Sequence, residues 1–333
     1  MMQRAFYILW VCLLFQGCHP DTSSPCPPFS NVPNSPYDNP IWHPSGEIIG
    51  FNHVPIKEVR YTNGMECVLQ AEYIFETDSI GFWLINEDGT DQRRVMPYAL
   101  LSPSWSPDGD WIAFSRGAQI FKMPFDGQSF DTTHIEQLTH EGRNFFPTWS
   151  PDGAWIAFDS SKDNPTGSKA IWKMRSDGTS ARRIAYQPEE GEIRSPFWGS
   201  NFHIVHYRYL ASSGSDSPEI FEMDSAGGNV RRITHNDQRK TWPQYTDGEQ
   251  HIAYVAQVGS TGLQIVVTDR EGSFFSQLTM SGATLFSFSK DGRMVYVNFN
   301  YDGIDEEKGT LWVMDQQGDH VRQLTFNHRL GNN

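Results

Sequence analysis

The sequence is short of basic residues. Its 333 residues include 26 Lys and Arg against 40 Asp and Glu, which gives a formal net charge of −14. A chain this acidic lacks the positive surface that holds a nucleic-acid backbone. We therefore expect no nucleic acid among its partners.

The sequence also lacks the local motifs of several common enzyme classes. It contains no Gly-x-Ser-x-Gly nucleophile elbow, no His-Glu-x-x-His zinc motif and no P-loop. These absences argue against an α/β-hydrolase, a zincin or a nucleotide-dependent enzyme. We expect no catalytic residues and no cofactor on this basis.

No apolar run near the N-terminus is long enough to span a membrane. The run from Ala5 to Phe15 has eleven residues and follows Arg4, which suits the core of a signal peptide. Gly17-Cys18 follows directly and resembles a bacterial lipoprotein signal, although Phe15 and Gln16 replace the usual Leu and small residue. We predict a signal peptide over 1–17 and a lipid on Cys18; ordinary secretory cleavage is the alternative.

Cysteine is scarce beyond the signal. Only Cys26 and Cys67 would remain unmodified, and in an oxidising compartment they form either a disulfide or two free thiols. Six prolines fall between residues 19 and 39. This composition favours extended backbone, so we predict a tether over 18–39 that follows the lipidated Cys18.

The abundant feature is an internal repeat. WSPDGDWIAF begins at Trp105, and WSPDGAWIAF begins at Trp149. Weaker copies of this motif give six starts, at Pro40, Pro103, Pro147, Pro196, Pro243 and Phe286. Spacings of this size are typical of propeller blades.

Two further motifs follow in each unit, in the same order. One is an apolar strand before a Gly turn, such as Ile171-Trp-Lys-Met174; the other ends the unit, as in Gln137-Leu-Thr139. Four short strands per unit and six units predict an all-β, six-bladed propeller of four-stranded antiparallel blades over 40–333. Large Trp rings would fill the wedges between blades.

The repeated Asp residues suit turn formation rather than catalysis. Asp108 and Asp152 stand in equivalent Pro-Asp-Gly turns, where Asp caps free N–H groups and Gly accepts a positive φ. His203 and His206 lie three apart on one strand, so they point to opposite faces and make a poor metal pair. The acidic residues 302–307 lack EF-hand spacing.

Together the motifs resemble the TolB-type β-propeller repeat, which is similar to the propellers of prolyl-oligopeptidase-like peptidases and of oligogalacturonate lyases. The resemblance covers residues 40–327. It implies the propeller fold and a non-catalytic module that binds a protein or peptide. The lyase resemblance implies the alternative, a saccharide-active enzyme with a channel metal, for which His140, His235 and His328 are the candidates.

We expect the binding surface at the rim formed by the irregular loops. Five residues precede innermost strands there and could converge on the channel mouth: Arg143, Asn144, Arg194, Arg239 and Lys240. They could bind a carboxylate of a partner chain. The alternative is that the cations pair with nearby Glu141, Glu192 or Asp237.

The sequence thus predicts a lipid-anchored protein of the bacterial cell envelope, periplasmic or at the outer membrane. Its only membrane contact would be the lipid anchor. Its partner would be an envelope protein or peptide.

Overall fold

The structure is a computed structural model. It describes residues 36–63, 69–164, 166–186, 191–210, 217–236, 238–259, 262–273, 276–280, 282–298 and 309–326; the side chains of 56, 58–73 and 247 are not described. Cys18, Cys26, Cys67, His328 and the acidic residues 302–307 therefore lie outside the description, and the predictions that rest on them stay predictions.

Six four-stranded antiparallel sheets form the described chain, which confirms the predicted fold class. Five sheets use four consecutive strands, blade 1 omits the third and fourth strands of the described chain, and the first strand of each sheet is the innermost. Blade 1 holds β1 (Tyr37–Trp42), β2 (Ile48–His53), β5 (Gly81–Asn86) and β6 (Arg93–Met96); blade 2 holds β7 (Leu101–Trp105), β8 (Trp111–Arg116), β9 (Gln119–Pro124) and β10 (Glu136–Gln137); blade 3 holds β11 (Asn144–Trp149), β12 (Trp155–Ser160), β13 (Ala170–Arg175) and β14 (Arg182–Ala185).

The second half of the ring repeats the pattern. Blade 4 holds β15 (Ile193–Trp198), β16 (His203–Arg208), β17 (Glu219–Asp224) and β18 (Arg231–Arg232); blade 5 holds β19 (Lys240–Thr246), β20 (His251–Gln257), β21 (Leu263–Asp269) and β22 (Ser276–Gln277); blade 6 holds β23 (Ala283–Phe288), β24 (Met294–Asn298), β25 (Thr310–Met314) and β26 (Arg322–Gln323). Single 3₁₀ turns lie at Thr77–Ser79, Thr132–His134 and Asp247–Glu249. Within the described ranges, no helix has the length and apolar character to cross a membrane.

The segment between the second and third strands of blade 1 forms an extra hairpin. Strand β3 (Ile56–Asn63) pairs antiparallel with β4 (Leu69–Phe75) between the second and third strands of the blade. It therefore leaves the blade on the rim opposite the Pro-Asp-Gly turns.

The core is divided into six hydrophobic clusters, and each cluster joins two adjacent blades. Alternation along the strands explains this division. In β8, Ile112 and Phe114 pack with blade 1, whereas Ala113 between them packs with blade 3. A ring from the end of each innermost strand enters or borders the wedge: Trp42, Trp105, Trp149, Trp198, Tyr245 and Phe288. No blade buries both of its faces alone.

The ring closes through contacts between blades 1 and 6, since each described sheet contains only its own four strands. Tyr37, Phe51 and Ile85 of blade 1 share a cluster with Val295 and Leu311 of blade 6. The Tyr37 hydroxyl also donates to the Phe326 carbonyl at 3.3 Å. The described strands therefore show closure without strand exchange.

The Thr of the third sequence motif supports the adjoining strand. Thr139 Oγ1 accepts a hydrogen bond from the Ile120 N–H at 2.8 Å and donates to Gln119 Oε1 at 2.7 Å. Thr234 does the same for Ile220 and Glu219 in blade 4. The motif is therefore part of the scaffold.

The side chain at the start of the third strand also bridges to the next blade. Gln119 Oε1 of blade 2 accepts from the Asn144 amide of blade 3 at 2.9 Å. In the equivalent place Glu219 of blade 4 pairs with Lys240 of blade 5 at 3.2 Å. Glu219 is 4% exposed along its side chain and Lys240 is 0% exposed. The chain thus uses a neutral pair at one blade boundary and a buried ion pair at another.

We predict that Lys240→Met lowers the free energy of unfolding, by less than the roughly 3–5 kcal/mol that a fully unpaired buried charge costs, because Glu219 keeps Arg232 at 3.3 Å as its second cation. The matched control is the double variant Glu219→Gln, Lys240→Asn, which installs the pair that Gln119 and Asn144 already form. Urea unfolding should show the double variant clearly more stable than the single one. Equal stability of the two would contradict this role of the ion pair.

Candidate functional site

A large concavity of the described molecule lies in the central channel. It has a volume of about 600 Å³ and is lined by the second halves of the six innermost strands and by the turns that follow them. Pro44, Pro107, Pro151 and Lys290 of those turns belong to the lining. The cavity therefore opens at the rim of the regular Pro-Asp-Gly turns, opposite the rim of the irregular loops.

A bulge interrupts each of the six innermost strands. The pairing with the second strand shifts register at the same place in every blade, for example between Phe145 and Thr148 in blade 3. One residue of each bulge is left-handed, with φ between 44° and 53°: Asn39, Ser102, Phe146, Ser195, Trp242 and Leu285. Proline follows it in five blades, which fits because proline in a sheet is confined to edges and bulges. We call these six residues the left-handed ring.

The left-handed ring mixes residues that suit this backbone with residues that do not. Asn39 is a residue type that readily adopts positive φ, and Ser102 and Ser195 are small and unbranched. Phe146, Trp242 and Leu285 are bulky, and the left-handed conformation costs an L-residue roughly 1–2 kcal/mol. Such outliers persist only where the surrounding structure holds them, and they cluster at functional sites.

The wall of the cavity is almost free of charge. His43 and Lys290 are the only titratable residues among those lining it in the described chain, and both belong to turns at the mouth. Burial lowers the pKa of His43, whose Nε2 lies 3.2 Å from the Gly109 carbonyl oxygen. Lys290 Nζ donates to the Pro107 carbonyl at 3.3 Å. The cavity offers apolar contact and backbone polarity rather than a general acid and base.

The mouth of the cavity is acidic. Exposed carboxylates stand on the turns around it: Glu47, Asp108, Asp110, Asp152 and Asp291. The cations of the same turns are Lys290 and Arg293, and Arg293 is already paired with Asp291 at 2.9 Å and with Glu87. Carboxylates thus dominate the charge of this rim.

The turn aspartates are held by the turns themselves. Asp152 Oδ1 accepts from the Ser150 hydroxyl at 2.5 Å and from the Ala154 N–H at 3.0 Å. The Ser150 hydrogen bond is the main reason that the pKa of Asp152 lies below its ordinary value. These contacts give Asp152 the capping role that the sequence predicts.

Blade 4 lacks the Pro-Asp-Gly turn, and a side chain of the next blade caps the free N–H groups of its turn instead. The Glu249 carboxylate of blade 5 accepts from the Asn201 N–H at 2.9 Å and from the Ser200 N–H. A residue 48 positions away therefore does what Asp152 does locally in blade 3.

The five residues predicted at the channel mouth do not line the cavity. Asn144 is buried and donates to Gln119, and Lys240 is buried against Glu219, so both belong to the wall between blades. Arg194 pairs with Glu192 at 2.8 Å, as the alternative proposed, while Arg143 and Arg239 are exposed near the other rim. Binding of a partner by these three arginines stays a prediction.

Of the predicted histidine candidates, His140 and His235 lie within the described residues, where they belong to no group that could hold a metal ion. His140 and His235 are both exposed and follow the outer strands of different blades. The described residues contain no group of three His, Cys, Asp or Glu side chains that could hold a metal ion. His206 is fully buried beside Phe221, and burial lowers its pKa to about 3.

A buried carboxylate lies directly behind the left-handed ring. Asp159 of β12 is 1% exposed, and its Oδ2 lies 3.5 Å from the N–H of Ser195. Lys169 Nζ is 3.8 Å from Oδ1 but donates to the Arg143 carbonyl. Burial raises the pKa of Asp159 to about 7, against the opposing charges of Lys169 and Arg194. In blade 1 the same position is Asn52, which forms two hydrogen bonds with the Leu100 backbone at 2.7 and 2.8 Å.

Sequence reasoning missed the left-handed ring, although a signal for it was present. Pro40, Pro103, Pro147, Pro196 and Pro243 recur inside predicted strands. Proline in the middle of a central strand indicates a bulge. The residue before each proline is therefore the one to inspect.

Comparisons with known proteins agree with this geometry. The family model described as the TolB beta propeller domain matches residues 76–330. A search among curated protein sequences finds no match.

Solved structures of the same fold include two TolB proteins. A putative TolB from Agrobacterium tumefaciens is 21% identical, with a TM-score of 0.59, over 71% of this chain and 84% of that one. TolB from Acinetobacter baumannii is 18% identical, with a TM-score of 0.64, over 87% of this chain and 65% of that one. An oligogalacturonate lyase in complex with manganese is 12% identical, with a TM-score of 0.54, over 88% of this chain and 77% of that one. At these identities the similarity shows the fold alone.

We predict that Asp159→Asn stabilises the protein more at pH 8 than at pH 5. The folded pKa of about 7 lies above the ordinary 3.8, so between these values the unfolded chain loses the proton that the folded chain keeps. The wild type therefore loses stability as the pH rises through this window, by on the order of 3 kcal/mol, and the Asn variant does not. Urea unfolding at both pH values measures the difference.

Asp152→Asn is the matched control for this pH effect. Because the folded pKa of Asp152 is lowered, its carboxylate stabilises the protein above the ordinary pKa, and the substitution should not stabilise at pH 8. A pH-independent difference between Asp159→Asn and the wild type would show that the buried carboxyl does not titrate as described.

Proposed function

Because this chain belongs to the TolB β-propeller family, we propose that it is a non-catalytic binding module of the bacterial cell envelope. Its channel cavity receives a segment of a protein partner. The single observation that supports this most is the cavity itself, about 600 Å³ of nearly uncharged wall at the mouth of a closed ring. Concave, mostly apolar sites of this size are typical of ligand pockets.

The chemistry of the wall favours binding over catalysis. The lining contains proline, aromatic, serine and other uncharged side chains, with His43 and Lys290 at the mouth. Such a wall can bury apolar side chains and offer hydrogen bonds to a peptide backbone. It offers no carboxylate for general acid–base work within the described lining.

The scaffold supports the site by holding it rigid. Every innermost strand contributes at least one side chain to a hydrophobic cluster shared with a neighbouring blade. A site that is already formed loses little conformational entropy on binding. This rigidity suits recognition of a flexible segment supplied by the partner.

A metal-dependent saccharide enzyme is the alternative function. The manganese complex of an oligogalacturonate lyase with the same fold motivates it. In this chain the metal ligands would be His140, His235 and His328; the first two lie near the rim opposite the cavity mouth. Manganese-dependent turnover of a uronate polymer that His140→Ala abolishes would support this alternative.

The membrane attachment is part of the same proposal. The lipid would sit on Cys18, and the proline-rich residues 18–39 would hold the propeller away from the membrane. Strand β1 begins at Tyr37, so the tether would join the ring at its first blade.

We predict that Cys18→Ser abolishes incorporation of an alkyne-labelled fatty acid in growing cells, because it removes the thiol that carries the lipid. Labelling followed by detection on a gel measures it. Cys12→Ser, which changes a Cys inside the apolar run, should leave the labelling intact. Equal labelling of both variants would place any lipid elsewhere.

We predict that a photo-crosslinking benzoylphenylalanine in place of Lys290, at the cavity mouth, captures an envelope protein in living cells. The same group in place of Arg143, at the opposite rim, is the matched comparison because both residues are exposed cations. Mass spectrometry of the product identifies the partner. Crosslinking only from position 143 would favour the rim predicted from sequence, and the absence of any product from position 290 would contradict the channel as the site.

A further inference from the structure

The left-handed ring marks the inner end of the channel cavity. In every blade the first residue that lines the cavity is the left-handed one, and the lining runs from there to the turn in five blades and to Gln244 in blade 5. No residue that precedes the ring in a described innermost strand lines the cavity. The ring is therefore the floor on which anything entering from the turn rim would rest.

We propose that Phe146, Trp242 and Leu285 are the specificity-determining residues of this floor, and that they receive an uncharged apolar side chain from a basic segment of a protein partner. This inference rests on the proposed function and names the chemistry of its ligand.

The backbone alone does not explain these three side chains. All six blades adopt the same bulge with φ between 44° and 53°. Three blades do so with Asn39, Ser102 and Ser195, so the bulge needs no large side chain. Phe, Trp and Leu are among the types least suited to positive φ. Trp242 and Leu285 each pack in part against a hydrophobic cluster between blades, and all three side chains also line the cavity.

The floor has two chemically different parts. Phe146, Trp242 and Leu285 are all half-buried, so each still presents surface that a ligand can cover. Asn39, Ser102 and Ser195 bring polar groups into the same lining. No member of the ring carries an ionisable side chain. An apolar side chain would be buried against the first part while the polar part bonds the adjoining peptide groups.

The negative charge around the cavity mouth determines which residues of the partner segment can flank its apolar residue. Glu47, Asp108, Asp110, Asp152 and Asp291 surround the opening. Ser150 and Ser106 hydrogen bonds to Asp152 and Asp108 help keep these carboxylates ionised. A segment with Lys or Arg beside its apolar residue complements this rim, whereas an acidic segment is repelled.

The test begins with a phage library of random eight-residue peptides, selected on the whole exported chain. We expect the selected peptides to share an apolar residue flanked by Lys or Arg. A selection dominated by acidic peptides, or by peptides without an apolar position in common, would overturn the inference.

The second step measures one selected, fluorescently labelled peptide against Phe146→Ser, Trp242→Ser and Leu285→Ser. Serine is the residue that the chain itself uses in the ring at Ser102 and Ser195. We expect each substitution to weaken binding about tenfold by fluorescence anisotropy. Leu101→Ser is the matched control, because Leu101 is an exposed apolar neighbour of Ser102 that does not line the cavity, and it should leave the affinity unchanged.

The outcomes separate this inference from the proposed function. Suppose that the peptide binds the three variants as tightly as the wild type, but that a bulky substitution at Ser104 of the wall abolishes binding. Peptide binding in the channel would then be supported, and the three floor residues would not determine its specificity. If no peptide is selected, both fail. Thermal unfolding of each single variant verifies that the ring of blades has formed.

Discussion

The structure depends on the packing of aromatic rings between blades. Every described hydrophobic cluster takes residues from two neighbouring sheets, so no blade is stable without the next one. The indoles of Trp42, Trp105, Trp149 and Trp198 occupy equivalent places at the end of the innermost strands. Because the sixth cluster joins Ile85 of blade 1 to Val295 of blade 6, the same interaction that stacks the blades also closes the ring.

This packing also determines the backbone conformation of the strands that line the channel. An indole that must enter the wedge at the end of a strand requires the strand to be rotated there, and the bulge supplies that rotation. Backbone N–H groups at the ends of these strands form hydrogen bonds with side chains of the adjacent blade. The Trp42 N–H donates to Ser287 Oγ, and the Trp198 N–H donates to Thr148 Oγ1, both at 3.2 Å. The left-handed ring is thus a consequence of the wedge packing, and only its side chains are free to differ between blades.

The features that could be predicted from sequence are those formed by residues close together within one repeat. The turn around Asp152, the Ile-Trp-Lys-Met strand and the Trp spacing are local, and six ordered copies made the fold class clear. Two of the predicted site residues have hydrogen-bond or ion-pair partners far along the chain. Lys240 pairs with Glu219 and Asn144 with Gln119, each from the preceding blade, and no local pattern shows that pairing. The rim at which the channel is wide likewise depends on all six innermost strands together. The irregular loops, which are visible in the sequence, led us to predict the binding surface at the opposite rim.

The acidic rim follows from turn chemistry rather than from a separate design of the surface. Tight turns between antiparallel strands favour Asp followed by Gly, because the carboxylate bonds the free N–H groups and Gly takes the positive φ. A propeller places two such turns per blade on one face, and here the Thr179 hydroxyl and the Gly228 N–H lower the pKa values of Asp177 and Asp224. Folding therefore concentrates ionised carboxylates around the opening of the cavity. The preference of tight turns for Asp-Gly therefore also sets the charge that an incoming partner meets. Because the floor behind that rim is uncharged, apolar contact is the remaining source of selectivity.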